Sequence, residues 1–236
     1  MSVPLVIAHR GDSSESLENS LEAVHGALSY PVDMIELDLR KSLDDHLYVM
    51  HDKTTGRTAD KNLNIEHMTS DVISKLKLLN GEPIPTVEDV IKTVAGSAGL
   101  NFEIKSKGAG VLIAQYLTSA HYPGYILLSS FEEDEVRAVR HISPAMPTSV
   151  IYDVFSAHDV TNYKKRGYRI ISLRKNTVNE KLITACHEER IDVYVWTVDD
   201  EDEMMKFISL GVDGIYSNRP GALKTLLMRI QTASEG

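Results

Sequence analysis

Residues 34–39 place two carboxylates inside a run that otherwise has the pattern of a buried β-strand. Because side chains alternate between the faces of a strand, Glu36 and Asp38 share one face, while three aliphatic side chains occupy the other. Two like charges on one face repel each other and are costly to remove from water. A cation, a metal ion or a protonated base between them would offset that cost, whereas a half-exposed edge strand with a solvated acidic face would avoid it. This stretch alone leaves both interpretations open.

A second predicted strand, residues 100–105, repeats the pattern. Asn101, Glu103 and Lys105 share one face, and the opposite face is apolar. Glu103 would therefore add a third carboxylate to the first two. Sites built only from oxygen ligands suit Mg²⁺ or Ca²⁺, whereas zinc sites usually include nitrogen or sulfur. Lys105 suits a phosphate group, although a structural ion pair with Glu103 would also account for it.

Other residues with chemical potential lie at comparable places in the chain. His9 ends the first predicted strand and precedes Arg10, and His51 lies beyond the second strand. Near a divalent cation, two histidines can supply a general base and a general acid close to neutral pH. Arg10 is a second cation suited to phosphate. Taken singly, His9 could be a packed barrel histidine, and Trp196 could be a core residue.

Secondary-structure elements must position these residues, and the hydrophobic periodicity indicates which elements they are. Short β-branched runs alternate with helical segments of roughly a dozen residues, the pattern of parallel βα units, and we count eight such units. The strands are predicted at residues 5–9, 34–38, 100–105, 125–129, 148–151, 169–173, 193–197 and 214–217. The helices are predicted at residues 20–28, 87–94, 111–120, 132–140, 157–165, 179–188, 201–210 and 222–230. Eight consecutive units favour a closed (β/α)8 TIM barrel over an open doubly wound sheet, and no glycine-rich dinucleotide loop follows the first strand.

One connection departs from the regular alternation of strands and helices. Residues 41–85 separate the second strand from its helix, and so long an insertion in a compact domain is more often functional than accidental. Active sites of such barrels lie at the C-terminal ends of the strands. The unusual polar residues, together with Trp196, collect at those ends on several independent strands, and this coincidence favours a functional site.

Composition narrows the class of protein. The 236 residues suit one domain spanning 1–236, and a net charge of −9 disfavours nucleic acid and anionic membranes as partners. Cys186 is the single cysteine, which fits a reducing compartment. The first apolar run, residues 3–8, is too short for a signal peptide or a membrane span. We therefore expect a soluble cytoplasmic protein, a monomer or small homo-oligomer, that acts on a small molecule.

The order and spacing of several motifs resemble those of the glycerophosphodiester phosphodiesterases along nearly the whole chain. These motifs are His9-Arg10-Gly11, Glu18-Asn19, Ile35-Glu36-Leu37-Asp38, His51-Asp52, Arg57-Thr58, Ile84-Pro85-Thr86, Asn101-Phe102-Glu103-Ile104-Lys105, Ser130-Phe131, Trp196-Thr197-Val198 and Gly211-Val212-Asp213-Gly214. The resemblance implies a (β/α)8 barrel with a small insertion after the second strand. It also implies that Glu36, Asp38 and Glu103 bind one divalent cation.

The same resemblance implies roles for the remaining candidates. His9 and His51 would be the acid and the base, Arg10 and Lys105 would bind the phosphate, and Trp196 would lie against the glycerol. The expected reaction is metal-assisted cleavage of a phosphodiester with a neighbouring hydroxyl, such as glycerophosphocholine or glycerophosphoethanolamine. Its products would be glycerol 3-phosphate and an alcohol, and the resemblance implies a cyclic phosphate intermediate.

Three alternatives remain open at this point. A lysophospholipase D-type enzyme could use the same metal and histidines on a lysophospholipid. A Schiff-base lyase could use Lys105 as its nucleophile, although that reaction leaves the three carboxylates unexplained. A non-catalytic binding barrel is disfavoured because both histidines and all three candidate ligands are present.

Overall fold

Eight parallel strands close into a barrel, because the first strand pairs with the second on one side and with the last on the other. The computed structural model describes residues 3–120 and 122–235. In chain order the strands are β1 Leu5–His9, β2 Met34–Lys41, β3 Leu47–Val49, β4 Gly99–Ile104, β5 Ile126–Ser130, β6 Thr148–Tyr152, β7 Ile170–Arg174, β8 Asp192–Trp196 and β9 Gly214–Ser217. All except β3 belong to the barrel, so the predicted (β/α)8 TIM barrel is confirmed.

Helices alternate with the barrel strands. They are α1 Leu21–Leu28, α2 Ser70–Ile73, α3 Val87–Val94, α4 Ala109–Ala120, α5 Glu133–Ile142, α6 Val160–Lys165, α7 Glu180–Glu188, α8 Glu201–Leu210 and α9 Pro220–Glu235. Local signals in the sequence mark several of their first residues. Thr86 caps α3 in a capping box with Asp89, and Asn179 and Asp200 accept backbone N–H bonds at the starts of α7 and α8. Asp199 and Asp200 both precede α8 and both could cap it, but only Asp200 does so. Asp199 is therefore free for another contact.

The barrel interior is divided into an apolar half and a polar half. Its N-terminal half is filled by buried side chains from six strands, namely Ile7, Met34, Leu127, Ile170, Tyr194 and Tyr216. The outward-facing apolar side chains of the strands pack under the helices in a separate, larger cluster. Polar side chains are therefore confined to the C-terminal half of the interior, where each strand ends.

The insertion begins as an extension of the barrel sheet. Strand β2 continues past its predicted end at Asp38 because residues 39–41 pair antiparallel with β3. The remainder contains α2, two 3₁₀ turns and an apolar cluster of its own, which includes Tyr48, Met50 and Ile65. The insertion thus has enough buried surface to hold the segment around residue 51 against the barrel.

No helix in the described parts of the chain, 3–120 and 122–235, is long and apolar enough to cross a membrane.

The turn after β1 requires a glycine. Arg10 and Gly11 both have positive φ angles, 58° and 83°, and a Cβ on Gly11 would lie 2.6 Å from the carbonyl carbon of Ala23 in α1. Both a left-handed backbone and a close helix therefore demand the missing side chain. This turn carries Arg10 into the mouth of the barrel.

We predict that Gly11→Ala lowers the free energy of unfolding by more than Gly81→Ala does. Gly81 has the same left-handed backbone, with a φ of 88°, but no atom within 4 Å of an added Cβ, so it is a matched control. Backbone strain should cost roughly 1–2 kcal/mol at either position, and the overlap at Gly11 should add about 1–3 kcal/mol. Urea unfolding of both variants measures the difference, and equal losses would contradict this account of the turn.

Candidate active site

Three carboxylates from two neighbouring strands converge inside the mouth of the barrel. Glu36 and Asp38 lie on β2, and Glu103 on β4 stands opposite Asp38 in the sheet register. One oxygen from each lies within 4.8 Å of the others, and exposed fractions of 2%, 0% and 8% show that all three are buried. Strand β2 lies between β1 and β4, so the interpretation of residues 34–39 as an exposed edge strand is wrong.

The carboxylates are only partly satisfied by protein donors. Glu36 Oε2 accepts a 3.0 Å bond from the backbone N–H of Arg10, and Asp38 Oδ2 accepts a 2.8 Å bond from Asn19. The second oxygen of each carboxylate, including Glu103 Oε1, is buried and accepts no hydrogen bond from any residue that the structure describes. Three buried carboxylates with converging oxygens, compensated in part by Lys105, form a ligand set that a hard divalent cation takes, so the residues fit such an ion.

Lys105 lies over this cluster as a counter-charge. Its Nζ forms ion pairs with Asp38 Oδ1 at 3.2 Å and with Glu103 Oε1. The ion pair considered from the sequence is therefore present. Arg10 contributes a second positive charge, with its Nε 3.2 Å from Asp38 Oδ2.

Charge is shared unequally among the three acids. Burial, with the charge of Asp38 adding to it, raises the pKa of Glu36 to about 8 and the pKa of Glu103 to about 7. Burial also opposes ionisation of Asp38, but Lys105 and Arg10 outweigh it and hold the pKa of Asp38 below its usual value. Without a metal ion, the cluster therefore binds protons near neutral pH, and a cation would have to displace them.

The two histidines lie at the same cavity, and each has one ring nitrogen engaged. His9 Nδ1 lies 2.7 Å from Asn218 Oδ1, and His51 Nδ1 lies 2.6 Å from Asp52 Oδ1. Both acceptors are oxygens, so Nδ1 carries the proton and Nε2 is left for other chemistry. Burial lowers the pKa of both rings, which favours neutral imidazoles able to accept a proton.

Arg40 connects the insertion to the barrel beneath His51. It follows Asp38 on the inner face of β2, and its Nε donates to the carbonyl oxygen of His51 at 2.8 Å. Its Nη1 donates to Glu66 Oε1, also at 2.8 Å, and Ser106 Oγ donates to the same oxygen. The position of His51 therefore depends on a buried arginine for which the sequence analysis proposed no role.

A chain of alternating charges links Arg10 to the partner of His51. Arg10 donates to Glu18, Glu18 accepts two bonds of 2.7 and 2.8 Å from Arg57, and Arg57 Nε donates to Asp52 at 2.7 Å. The sequence motifs contained Glu18, Asp52 and Arg57, but their roles emerge only from these contacts. Asn218 was missed altogether, although its place directly after β9 meets the same strand-end criterion that singled out His9.

The cavity itself has an aromatic wall and a polar floor. Phe131 and Trp196 contact edge to face with ring centroids 5.6 Å apart, and Trp196 Nε1 is buried without a hydrogen-bond acceptor among the described residues. The floor consists of hydrogen-bonded polar side chains from four strands, namely Asn101, Ser129, Ser172 and Tyr216. Seven of the eight residues singled out from the sequence line this cavity, and Asp38 lies directly behind them.

Comparisons with known proteins agree with one another. Residues 9–222 match the family model described as the glycerophosphoryl diester phosphodiesterase family. A glycerophosphodiester phosphodiesterase of Caldanaerobacter subterraneus subsp. tengcongensis is 30% identical over 241 residues, covering 95% of this chain and 98% of that protein.

Solved structures show the same fold. A phosphodiesterase of Oleispira antarctica, in complex with the product sn-glycerol-3-phosphate, has a TM-score of 0.89 at 21% identity and covers 95% of this chain and 97% of the other. A glycerophosphodiester phosphodiesterase of Parabacteroides distasonis has a TM-score of 0.87 at 25% identity and covers 97% of this chain and 98% of the other.

The carboxylate cluster predicts a pH-dependent stability of the metal-free protein. Unfolded Glu36 loses its proton near its ordinary pKa of 4.5, whereas folded Glu36 keeps it up to about pH 8. The folded state therefore holds more protons within this window, and its stability falls as the pH rises. In EDTA, Glu36→Gln should make the decline of the melting temperature across the window shallower.

Glu188→Gln is the control, because Glu188 is an exposed carboxylate on α7. It should follow the wild-type pH dependence. If Glu36→Gln and wild type declined in parallel, Glu36 would not carry the raised pKa.

Proposed function

The chain belongs to the glycerophosphoryl diester phosphodiesterase family, and from that premise we propose that it hydrolyses glycerophosphodiesters such as glycerophosphocholine and glycerophosphoethanolamine. The products are glycerol 3-phosphate and an alcohol. One observation carries the proposal: three buried carboxylates and two histidines, each with its Nδ1 engaged, converge on one cavity. The Oleispira antarctica phosphodiesterase of the same fold, in complex with sn-glycerol-3-phosphate, supports this class of product.

Glu36, Asp38 and Glu103 would hold one divalent cation, Mg²⁺ or Ca²⁺. The convergence of one oxygen from each of the three buried carboxylates supports this assignment. When bound, the cation supplies positive charge beside a phosphoryl oxygen and lowers the pKa of the substrate hydroxyl. Asn19 and the backbone N–H of Arg10 each bond one oxygen of a β2 carboxylate, and these bonds fix the orientation of both groups.

The two histidines move the protons. One neutral imidazole accepts, at Nε2, the proton of the glycerol hydroxyl as the hydroxyl oxygen bonds to phosphorus. The other ring starts as an imidazolium and donates its Nε2 proton to the alcohol oxygen as the bond from that oxygen to phosphorus breaks. Asp52 places a carboxylate behind His51, whereas His9 faces the amide of Asn218. A carboxylate stabilises a protonated ring better than an amide does, which favours His51 as the proton donor. Water then opens the resulting cyclic phosphate.

Arg10 and Lys105 would neutralise charge on the phosphoryl oxygens. Arg10 is positioned by Glu18, and Lys105 lies 5.6 Å from the ring centre of Phe131 at the cavity wall. Preorganised donors of this kind are commonly worth roughly 3 kcal/mol each in the transition state. Trp196 would lie against the glycerol, because it lines the cavity beside Phe131.

Lysophospholipids are a second candidate substrate class. Phe131 and, in the loop after β6, Val154 are apolar side chains with exposed fractions of 40% and 82%, and an acyl chain could lie across such residues. A Schiff-base reaction finds no support, because Lys105 must lose its proton to act as a nucleophile. Burial favours that loss, but Asp38 and Glu103 outweigh it and raise the pKa of Lys105.

We expect the protein to release glycerol 3-phosphate from glycerophosphocholine or glycerophosphoethanolamine in a coupled dehydrogenase assay. EDTA should abolish this activity, and Mg²⁺ or Ca²⁺ should restore it, because the cation supplies the positive charge that lowers the pKa of the substrate hydroxyl. Lysophosphatidylcholine serves as the comparison substrate. Turnover of the lysolipid alone would favour the second candidate, and no turnover of any of the three with either cation would overturn the proposal.

Substitution of either histidine should remove turnover while the fold persists. We expect His9→Ala and His51→Ala each to lower kcat by about 10²–10⁴-fold, the usual contribution of a general acid or base. His158→Ala is the matched control, since His158 is exposed outside this cavity. Circular dichroism confirms folding, and a wild-type rate in either active-site variant would remove that histidine from the mechanism.

A further inference from the structure

We infer that Asn218 and Asp199 are positioning residues that set the tautomer of His9. Both follow barrel strands: Asn218 comes directly after β9, and Asp199 lies three residues beyond the end of β8. Neither belongs to the carboxylate cluster. The inference depends on the proposed function for its kinetic consequences only, because the tautomer can be observed without turnover.

The contacts form a line from Asp199 to His9. Asn218 Nδ2 donates to Asp199 Oδ2 at 2.7 Å, and the backbone N–H of Asn218 donates to Asp199 Oδ1, also at 2.7 Å. Asn218 Oδ1 then lies 2.7 Å from His9 Nδ1 and accepts a further bond of 2.8 Å from Ser13 Oγ. Asp199 therefore acts on His9 through a single intervening amide.

The chemistry of the groups permits one orientation of that amide. A carboxylate only accepts hydrogen bonds, so the NH₂ group of Asn218 must face Asp199 and its carbonyl oxygen must face His9. The reverse orientation would place the amide oxygen of Asn218 against the carboxylate of Asp199. Asp199 thus determines which atom Asn218 presents to the imidazole.

The amide in turn determines where the imidazole carries its proton. A carbonyl oxygen accepts, so neutral His9 must hold its hydrogen on Nδ1 and its lone pair on Nε2. Nε2 is the atom on the cluster side, 3.9 Å from Glu36 Oε2. With the opposite tautomer, Nε2 would carry a hydrogen and could not accept a proton. His51 is held in the same Nδ1–H tautomer by a direct hydrogen bond to Asp52, so the two rings have different hydrogen-bond partners.

The decisive variant is Asp199→Asn, which changes a residue that does not touch His9. The oxygen of an amide at 199 would stay with the backbone N–H of Asn218 and with Ser217 Oγ, so its NH₂ group would face the Asn218 side chain and populate the reversed amide. Long-range ¹H–¹⁵N spectra distinguish the two imidazole tautomers, and comparison with His9→Gln identifies the His9 signals among the nine histidines. We expect neutral His9 to be the Nδ1–H tautomer in the wild type and a mixture of both tautomers in Asp199→Asn.

Two further variants separate positioning from general loosening of the loops. The exchange Asp199→Asn with Asn218→Asp restores one donor facing one acceptor and keeps an oxygen against His9, so it should restore the single Nδ1–H tautomer. Ser217→Ala removes a 3.1 Å bond to Asp199 Oδ1 but leaves the line to His9 intact. It should lower the melting temperature without changing the tautomer. A single Nδ1–H tautomer in Asp199→Asn, or a mixture in Ser217→Ala, would overturn the inference.

The kinetic readout is a fall in kcat with little change in KM. An Asp→Asn change in direct contact with a catalytic histidine can cost about 10⁴-fold in kcat, and a relay through one amide should cost less, about 10-fold. The exchange variant should recover part of this loss. If the spectra behave as expected but the wild type turns over no glycerophosphodiester, the proposed function fails and the positioning role stands.

Discussion

The mutual repulsion of three buried carboxylates is the constraint on which the rest of this site depends. The pairing of β2 with β4 brings Glu36, Asp38 and Glu103 together, and Arg10 and Lys105 compensate them only in part. Protons on Glu36 and Glu103 reduce the remaining electrostatic repulsion, and a divalent cation in place of those protons would do the same. The proposed affinity for a cation and the predicted instability of the metal-free state at higher pH thus have the same physical origin.

The two histidines beside the carboxylate cluster are held in place by hydrogen bonds from different parts of the chain. His51 belongs to an insertion with its own apolar cluster, and Arg40 and Asp52 hold its backbone and its ring. His9 belongs to the barrel and is held through Asn218. Two rings from independent elements therefore face one cavity, and the proposed proton transfers need little rearrangement.

The sequence could predict what depends on local patterns. Alternation along a strand identified Glu36 and Asp38, and caps such as Thr86 marked the starts of helices, because both signals span only a few residues.

Contacts between segments far apart in the chain leave no local pattern in the sequence. Asp199 and Asp200 are equally good caps locally, and only the chain geometry assigns Asp200 to α8 and Asp199 to Asn218. Similarly, no local pattern distinguishes Ser172 from other strand serines, and only the folded barrel places it in the cavity lining.

The most direct test of the central claim is the position of a bound cation. Crystals soaked in Mn²⁺ give an anomalous difference map in which the ion is identified by its own scattering. The account predicts one peak within about 2.5 Å of an oxygen from each of Glu36, Asp38 and Glu103. A peak elsewhere in the cavity, or none at these carboxylates in crystals that retain activity, would contradict it.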